Sequence, residues 1–256
     1  MKIVEPSVTL VHSTVEPART IEKIGRICYQ SHHKVAVCES CGGTGLNNDL
    51  VRQGLHSMDE SARCISCSAT GTDESSAIAF VKMILANGHE SVLEHVSAGF
   101  RIITDRGVTH QLVRHRIASF SQESTRYCNY SDERFKKELT FIEPPGLRTK
   151  EQAGESVVMA DGDLGAWASV MEGAEHIYLE MISRGVAPQI ARSVLPNSLK
   201  SEIGMTCNAR EWRHFLRLRT SPKAHPQMRQ IAFMLRDELC KWFPTAFEEF
   251  QSEKTS

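Results

Sequence analysis

The chain predicts an α+β fold. Helical and strand patterns follow one another along its 256 residues without the regular βαβ alternation of a parallel sheet. Neither a G-x-G-x-x-G nor a G-x-x-x-x-G-K-[ST] loop occurs, which excludes the common glycine loops that cradle phosphates. Hydrophobic residues make up 41% of the chain, enough to build a core and to argue against disorder. The length suits one large domain, or one domain plus a small module.

Each element has a local reason. Residues 3–15 alternate loosely and predict a strand. Pro17 can open a helix, and Ile21, Ile24 and Ile27 then share one face. Residues 35–73 carry Cys, Gly, Ser, Thr and Asn with no long periodic run, and predict an insert. From Ser75 a helix places Ala79, Met83 and Ala86 on one side, beside Phe80 and Ile84. It stops at Asn87-Gly88, where glycine accepts the left-handed cap. Residues 96–104 (V-S-A-G-F-R-I-I-T) predict a strand, Asp105-Arg106-Gly107 a turn, and the segment after Thr109 a short helix. Residues 139–142 predict a short strand before Pro144-Pro145. Residues 154–165 predict a surface loop or a poor helix. Helices follow over 166–183, ended by Gly185, and over 188–195, ended by Pro196. Residues 201–207 predict a strand, and 211–218 and 227–243 two helices, the last stopped by Pro244.

Charge narrows the function. The net charge is −1, so the molecule as a whole is no polyanion binder. Yet residues 186–230 hold eight Lys or Arg against only Glu202 and Glu211. A local cationic surface on a neutral chain suits a small phosphorylated ligand better than a long nucleic acid. The opening Met1-Lys2-Ile3-Val4-Glu5-Pro6 has no export-signal pattern, and no apolar run approaches the roughly 20 residues of a membrane helix. A cytoplasmic chain is expected. Its eight cysteines are then thiols or metal ligands rather than disulfides.

Cys38, Cys41, Cys64 and Cys67 form C-x2-C-x22-C-x2-C, and each pair begins a C-x-x-C-x-x-T-G repeat. Two residues between cysteines let both sulfurs of a turn face one ion, and the following glycine relieves backbone crowding. Two such turns predict a four-thiolate zinc cage with no open position, structural rather than catalytic. Free thiols or an iron–sulfur cluster are the alternatives. The segment has few apolar side chains and needs a staple to fold. Its first half resembles zinc modules of chaperone type, which implies no chaperone activity.

The densest chemistry is Arg114-His115-Arg116-Ile117-Ala118-Ser119-Phe120-Ser121-Gln122-Glu123-Ser124-Thr125-Arg126-Tyr127. Ser119, Ser121, Gln122, Ser124 and Thr125 predict a loop whose hydroxyls and N–H groups grip phosphate or a base edge. An isolated R-H-R is more often a solvated basic surface. The whole string, however, resembles the signature of the flavin-dependent thymidylate synthases: R-H-R, seven residues, Ser124, then Arg126-Tyr127. Three further segments resemble that family in its order. They are His89-Glu90-Ser91-Val92-Leu93-Glu94-His95, Ile190-Ala191-Arg192-Ser193-Val194-Leu195-Pro196, and Asn208-Ala209-Arg210 with Phe215-Leu216-Arg217-Leu218-Arg219.

The resemblance covers nearly the whole chain outside 35–73. It implies a mixed antiparallel sheet with packed helices: one domain over 1–256, interrupted by the four-cysteine module. It implies the making of dTMP from dUMP, with methylenetetrahydrofolate as carbon donor and NADPH reducing a bound FAD. It also implies a homotetramer with active sites shared between subunits. By similarity Ser91, Arg114, His115 and Arg116 meet FAD, and Asn208, Arg210 and His214 add contacts from another subunit. The nucleotide meets Gln111, Arg114, Ser124, Thr125, Arg126, Arg192 and Arg219, and Gln122 lies near both ligands. Arg126 and Arg192 suit phosphate because guanidinium offers paired donors. Arg219 is the expected catalytic residue: a cation near the pyrimidine N3 and O4 favours loss of the N3 proton.

Ser124 lacks an adjacent base and is expected to bind rather than attack. Cys28, Cys128, Cys207 and Cys240 are expected as small buried hydrophobes. Two features depart from the family pattern. Ser121 and Gln122 stand where many members carry Asn and Glu, and the cysteine module replaces a short connection between two helices. A competing reading makes the chain a zinc-dependent nucleic-acid-binding protein on a relic flavoprotein scaffold. The module's only nearby cations, Lys34, Arg52 and Arg63, weigh against it. Another makes the module an assembly element at a subunit contact.

Overall fold

The structure, a computed structural model, describes residues 1–46, 63–67, 71–147 and 163–251. Its frame is a four-stranded antiparallel sheet in the order β2 (Ser7–Ser13), β3 (Ser97–Asp105), β6 (Lys200–Asn208), β4 (Ser119–Gln122). Strands β3 (Ser97–Asp105) and β6 (Lys200–Asn208) pair along their full nine-residue lengths, from Ser97 opposite Asn208 to Asp105 opposite Lys200. Alternation explains the pairing: β6 buries Ser201, Ile203, Met205 and Cys207 on one face, and β3 buries Ala98, Phe100 and Ile102. Strand β2 (Ser7–Ser13) flanks β3, and β4 (Ser119–Gln122) flanks β6.

Two strand expectations change. The strand expected over 3–15 is two strands, because Pro6 has no N–H to continue a ladder. The first, β1 (Lys2–Val4), instead pairs in parallel with β5 (Thr140–Ile142) as a separate two-stranded sheet. Residues 119–122, expected as loop, are β4: Phe120 packs on the core while the flanking serines stay exposed, a period of two.

Most of the helices share one core with the sheet. Helix α1 (Pro17–Gly25) is followed by a 3-10 turn, Arg26–Tyr29, and α2 runs over Glu74–Ala86. Ile21 is fully buried but Ile27 is exposed, because the tighter 3-10 winding rotates it off the helical face. On α2 the buried residues are Ala77, Phe80, Val81 and Ile84, while Ala79, Met83 and Ala86 are exposed. This helix is apolar on most sides, so contact with α1 selects the face. The Phe80 ring lies 2.6 Å from where a β-carbon on Gly25 would stand, so only glycine fits there without a shift. Helix α3 (Arg106–Leu112) begins where a turn was expected. The Asp105 carboxylate caps it by accepting from the Val108 N–H at 2.7 Å.

The later elements follow the sequence closely. They are α4 (Asp163–Ser183), α5 (Pro188–Ala191) continued by a 3-10 turn over Arg192–Val194, α6 (Ala209–Arg219), α7 (Pro226–Trp242) and α8 (Pro244–Phe247). Most of the 154–165 patch lies outside the described residues, and its end opens α4. One core gathers β3, β6, α1, α2, α6 and α7 around Trp212, whose indole N–H donates to the Ala98 carbonyl at 3.0 Å. A second packs Tyr130, Phe141 and Leu199 against Met171 and Tyr178 of α4. The four motif cysteines form a third, separate cluster. Bridges between Val37 and Thr72 and between Leu46 and Arg63 flank it, and the Arg19 guanidinium of α1 donates to the Cys67 carbonyl at 3.0 Å. Among the described residues no helix is long and apolar enough to cross a membrane.

Trp212 also stacks edge-on against Phe100 at 5.2 Å between centroids. Trp212→Ala should therefore cost about 3–5 kcal/mol of stability, measured as a lower denaturant midpoint.

Candidate active site

Helix α6 carries Glu211, Phe215 and Arg219 at i, i+4 and i+8, so the three form one stripe. The stripe faces His115, which lies just beyond α3 and is 5% exposed. The Phe215 ring packs on the imidazole at 4.9 Å between centroids. Arg219 Nε donates to His115 Nε2 at 3.1 Å, and His115 Nδ1 lies 3.3 Å from Glu211 Oε1. Burial, then the charges of Arg219 and His214, lower the His115 pKa to about 4. The imidazole is therefore neutral at pH 7, and its contact with Glu211 is a hydrogen bond rather than an ion pair. Burial moves Glu211 upward, opposed by the His214 charge.

Beside this stripe is a cavity of about 410 Å³ lined by Glu90, Glu94, Ile117, Asn208, Arg210, Glu211, His214 and Arg217. Of the residues expected at a flavin, it gathers Asn208, Arg210 and His214. Asn208 is also the cap of α6: its side-chain oxygen accepts from the Glu211 N–H at 2.8 Å. Arg210 pairs with Glu94, and Arg217 donates to Glu90 at 2.7 Å. The two carboxylates of the His-Glu segment thus tie its 3-10 turn, Glu90–His95, to α6. Ser91 is exposed on that turn. Arg114 and Arg116 are exposed and have no side-chain partner among the described residues.

Two of the nucleotide candidates, Thr125 and Arg192, meet elsewhere. A second cavity, of about 430 Å³, is lined by Arg106, Thr125, Gln189, Arg192, Ser193 and Leu195. Arg192 Nη1 donates to Thr125 Oγ1 at 3.3 Å. Arg106 was not expected here; the Asp105 cap turns it onto the first residue of α3, and no sequence motif marks it. Arg126 is exposed with its guanidinium over the Tyr127 ring, and Ser124 Oγ accepts from the Arg126 N–H at 3.3 Å. Gln111 is half-buried on α3. Gln122 Nε2 donates to Thr109 Oγ1 at 2.9 Å and to Ser201 Oγ at 3.1 Å, tying β4 to α3 and β6. The Gln122 amide nitrogen is thus used inside the chain. Of the remaining cysteines only Cys207 is fully buried. Cys28 is exposed on the 3-10 turn, against expectation, and Cys128 and Cys240 are half-buried.

The motif cysteines fit a metal. All four sulfurs lie within 4.8 Å of one another, with Cys38 to Cys64 at 4.0 Å and Cys41 to Cys67 at 3.7 Å. A tetrahedron with metal–sulfur bonds of about 2.3 Å has edges of about 3.8 Å. The two halves mirror each other: the Gly45 and Gly71 N–H groups each donate 3.3 Å to Cys41 and Cys67 Sγ. Burial raises the Cys41 thiol, but the amides of Gly45 and Gly43 and the neighbouring thiols outweigh it and bring it down to about 6. Gly71 sits at φ +75°, and a β-carbon there would lie 2.3 Å from the Gly43 carbonyl oxygen. The repeat glycine is therefore obligatory at that crossing.

A family model described as thymidylate synthase complementing protein matches residues 9–245. The flavin-dependent thymidylate synthase of Pyrococcus furiosus is 38% identical over 159 residues, covering 62% of this chain and 60% of the relative. That of Pyrococcus abyssi is 35% identical over 170 residues, covering 66% and 65%. The chain thus spans less than two thirds of the length of these two relatives. Among solved structures, a UMP/dUMP methylase PolB from Streptomyces cacaoi, bound with 5-Br dUMP, superposes over 100% of both chains. Its TM-score is 0.69 at 22% identity, a likeness of fold.

The buried histidine makes stability depend on pH. Its folded pKa is depressed from 6.5 to about 4, so its contribution is full above pH 6.5 and is lost as pH falls toward 4. The loss is at most about 3 kcal/mol. Glu211, shifted upward, works in the opposite sense and favours the folded state at acid pH. In His115→Gln the fall in stability between pH 6.5 and 4.5 should be visibly shallower than in the parent protein, measured by denaturant titration at each pH.

Proposed function

The chain belongs to the thymidylate synthase complementing protein family, and from that premise we propose that it is a flavin-dependent thymidylate synthase. The reaction is the reductive methylation of dUMP to dTMP, with methylenetetrahydrofolate as carbon donor and NADPH as the source of electrons. The observation that carries this reading is the Arg219 guanidinium, half-buried at the end of α6 and held by His115. A fixed cation of this kind stabilises negative charge far better in a dry site than in water.

The residues suit the expected ligands. Guanidinium groups at Arg114, Arg116 and Arg210 match the phosphates of FAD, and Asn208 and His214 add hydrogen-bonding groups beside them. When bound, the flavin supplies a hydride, which no side chain can. The chain supplies binding and charge. Arg192, Arg106 and Thr125 form a cationic seat for the nucleotide phosphate. Arg219, set against the pyrimidine N3 and O4, favours the N3 anion and so pushes electron density toward C5. Gln111, Gln122, Ser124 and Arg126 complete the nucleotide set, and Ser91 and His115 the flavin set. Arg114, Arg116 and Arg126 are exposed in a single chain, and the flavin and phosphate candidates line different cavities. A homotetramer whose active sites are shared between subunits accounts for both.

Zinc at Cys38, Cys41, Cys64 and Cys67 is part of the same proposal, as a structural ion within residues 35–73 of a single domain over 1–256. Cytoplasmic residence goes with it, since a thiolate cage persists where cysteines stay reduced. Arg19, turned onto the Cys67 carbonyl, serves the module's packing rather than a nucleic-acid surface.

Purified protein should be yellow and form dTMP when given dUMP, methylenetetrahydrofolate, FAD and NADPH; a protein that binds no flavin overturns the proposal. Arg219→Ala should lower kcat about 10²- to 10³-fold while remaining folded, and near-normal turnover removes the role given to this residue. Elemental analysis of Cys38→Ser should show the bound zinc lost, whereas undiminished zinc counts against the four-thiolate site.

A further inference from the structure

Three side chains at the α6 stripe form a directional chain, and one of them, Glu211, has no role in the reaction proposed above. A guanidinium N–H can only donate, so the nitrogen that meets Arg219 Nε at 3.1 Å, His115 Nε2, carries the lone pair. A neutral imidazole has one N–H, which is therefore on Nδ1. That atom lies 3.3 Å from Glu211 Oε1, a carboxylate acceptor. Arg219 donates to His115, and His115 donates to Glu211. The other tautomer sets N–H against N–H at Arg219 and, with Glu211 ionised, lone pair against lone pair at Glu211. We propose that Glu211 is a positioning residue which, by fixing the tautomer of His115, fixes where the Arg219 guanidinium points.

The surroundings hold the chain rigid. Glu211 sits on the first turn of α6, where the Asn208 cap accepts its backbone N–H at 2.8 Å. Phe215, between Glu211 and Arg219 on the same stripe, packs on the imidazole and restrains its rotation. Glu211 accepts from His115 whether its carboxyl is ionised or neutral, since either form offers an oxygen lone pair. The same cluster has a second reading, because ligand atoms of His115, Glu211 and His214 lie within 4.8 Å of one another, close enough to hold a cation. The Arg219 bond argues against it: it occupies the only imidazole lone pair and puts a fixed positive charge beside the site.

The proposal rests on the thymidylate synthase reading for what Arg219 does, but its geometry can be tested without turnover. The full chain, labelled with ¹⁵N-histidine and loaded with flavin, is compared as wild type, Glu211→Ala and Glu211→Gln. Wild-type His115 should show the Nδ1–H tautomer at pH 7 in long-range ¹H–¹⁵N spectra. In Glu211→Ala that preference should be lost and kcat should fall about 10- to 100-fold. Flavin content and the KM for dUMP should stay within about threefold, as expected when only transition-state contacts are lost. Glu211→Gln keeps an oxygen facing Nδ1 and should retain both the tautomer and most of the turnover, a rescue that a packing role alone does not give. Where Glu211→Ala does not fold, Glu211→Met fills the volume without an acceptor. The proposal is overturned by a wild-type Nε2–H tautomer, or by Glu211→Ala turning over within about twofold of wild type. A wild type that forms no dTMP overturns the enzymatic reading instead, and the tautomer then decides the Glu211–His115–Arg219 chain by itself.

Discussion

The full-length antiparallel pairing of β3 with β6 sets the position of the other elements. At one end of this ladder Asn208 stands opposite Ser97 and caps α6; at the other, Asp105 stands opposite Lys200 and caps α3. Strand β4 then pairs with the free edge of β6, Ser119 opposite Thr206. The chain between α3 and β4, which holds Arg114, His115 and Arg116, has only a few residues in which to return. That short return brings His115 against the α6 stripe. A one-residue slip of β6 would exchange its buried and exposed faces, so the burial of Ile203, Met205 and Cys207 is what secures the register.

The same region combines strong burial with fixed charge. His115 is held neutral and can accept from Arg219, while Arg219 remains a cation at a half-buried position. An unpaired guanidinium would be expensive there, and the imidazole lone pair offsets part of that cost without cancelling the charge. A carboxylate in the same place would neutralise Arg219. The acids nearby are directed elsewhere: Glu94 to Arg210, and Glu90 to Arg213 and Arg217. These pairs hold the 3-10 turn on α6, Glu249 on Arg213 and Arg217 adds the C-terminal segment, and none of them engages Arg219.

The cysteine module follows a different logic. Its described part has no apolar cluster beyond the four cysteines themselves, so the hydrophobic effect contributes little to the order of that part. The described part is ordered by two turns with matching N–H to sulfur bonds and by glycine at their crossing. The Arg19 bond to the Cys67 carbonyl connects the module to α1, and through α1 to the main core. The four cysteines and the α6 stripe thus belong to separate clusters, joined through α1.

The sequence alone determined the fold class, most helix ends, the four-cysteine site and the family, because each rests on local chemistry. Caps, periodicity, cysteine spacing and contiguous motifs need no knowledge of distant residues. It misassigned residues 119–122 and the start of α3, because a strand is completed by its partner and a cap by the hydrogen bonds it accepts. It also chose the exposed face of α2, since a helix apolar on most sides has no stripe of its own. The cavity role of Arg106 and the alignment of Glu211, His115 and Arg219 were beyond its reach. His115 and Glu211 are 96 residues apart in the chain, and only the β3–β6–β4 ladder brings their side chains to 3.3 Å.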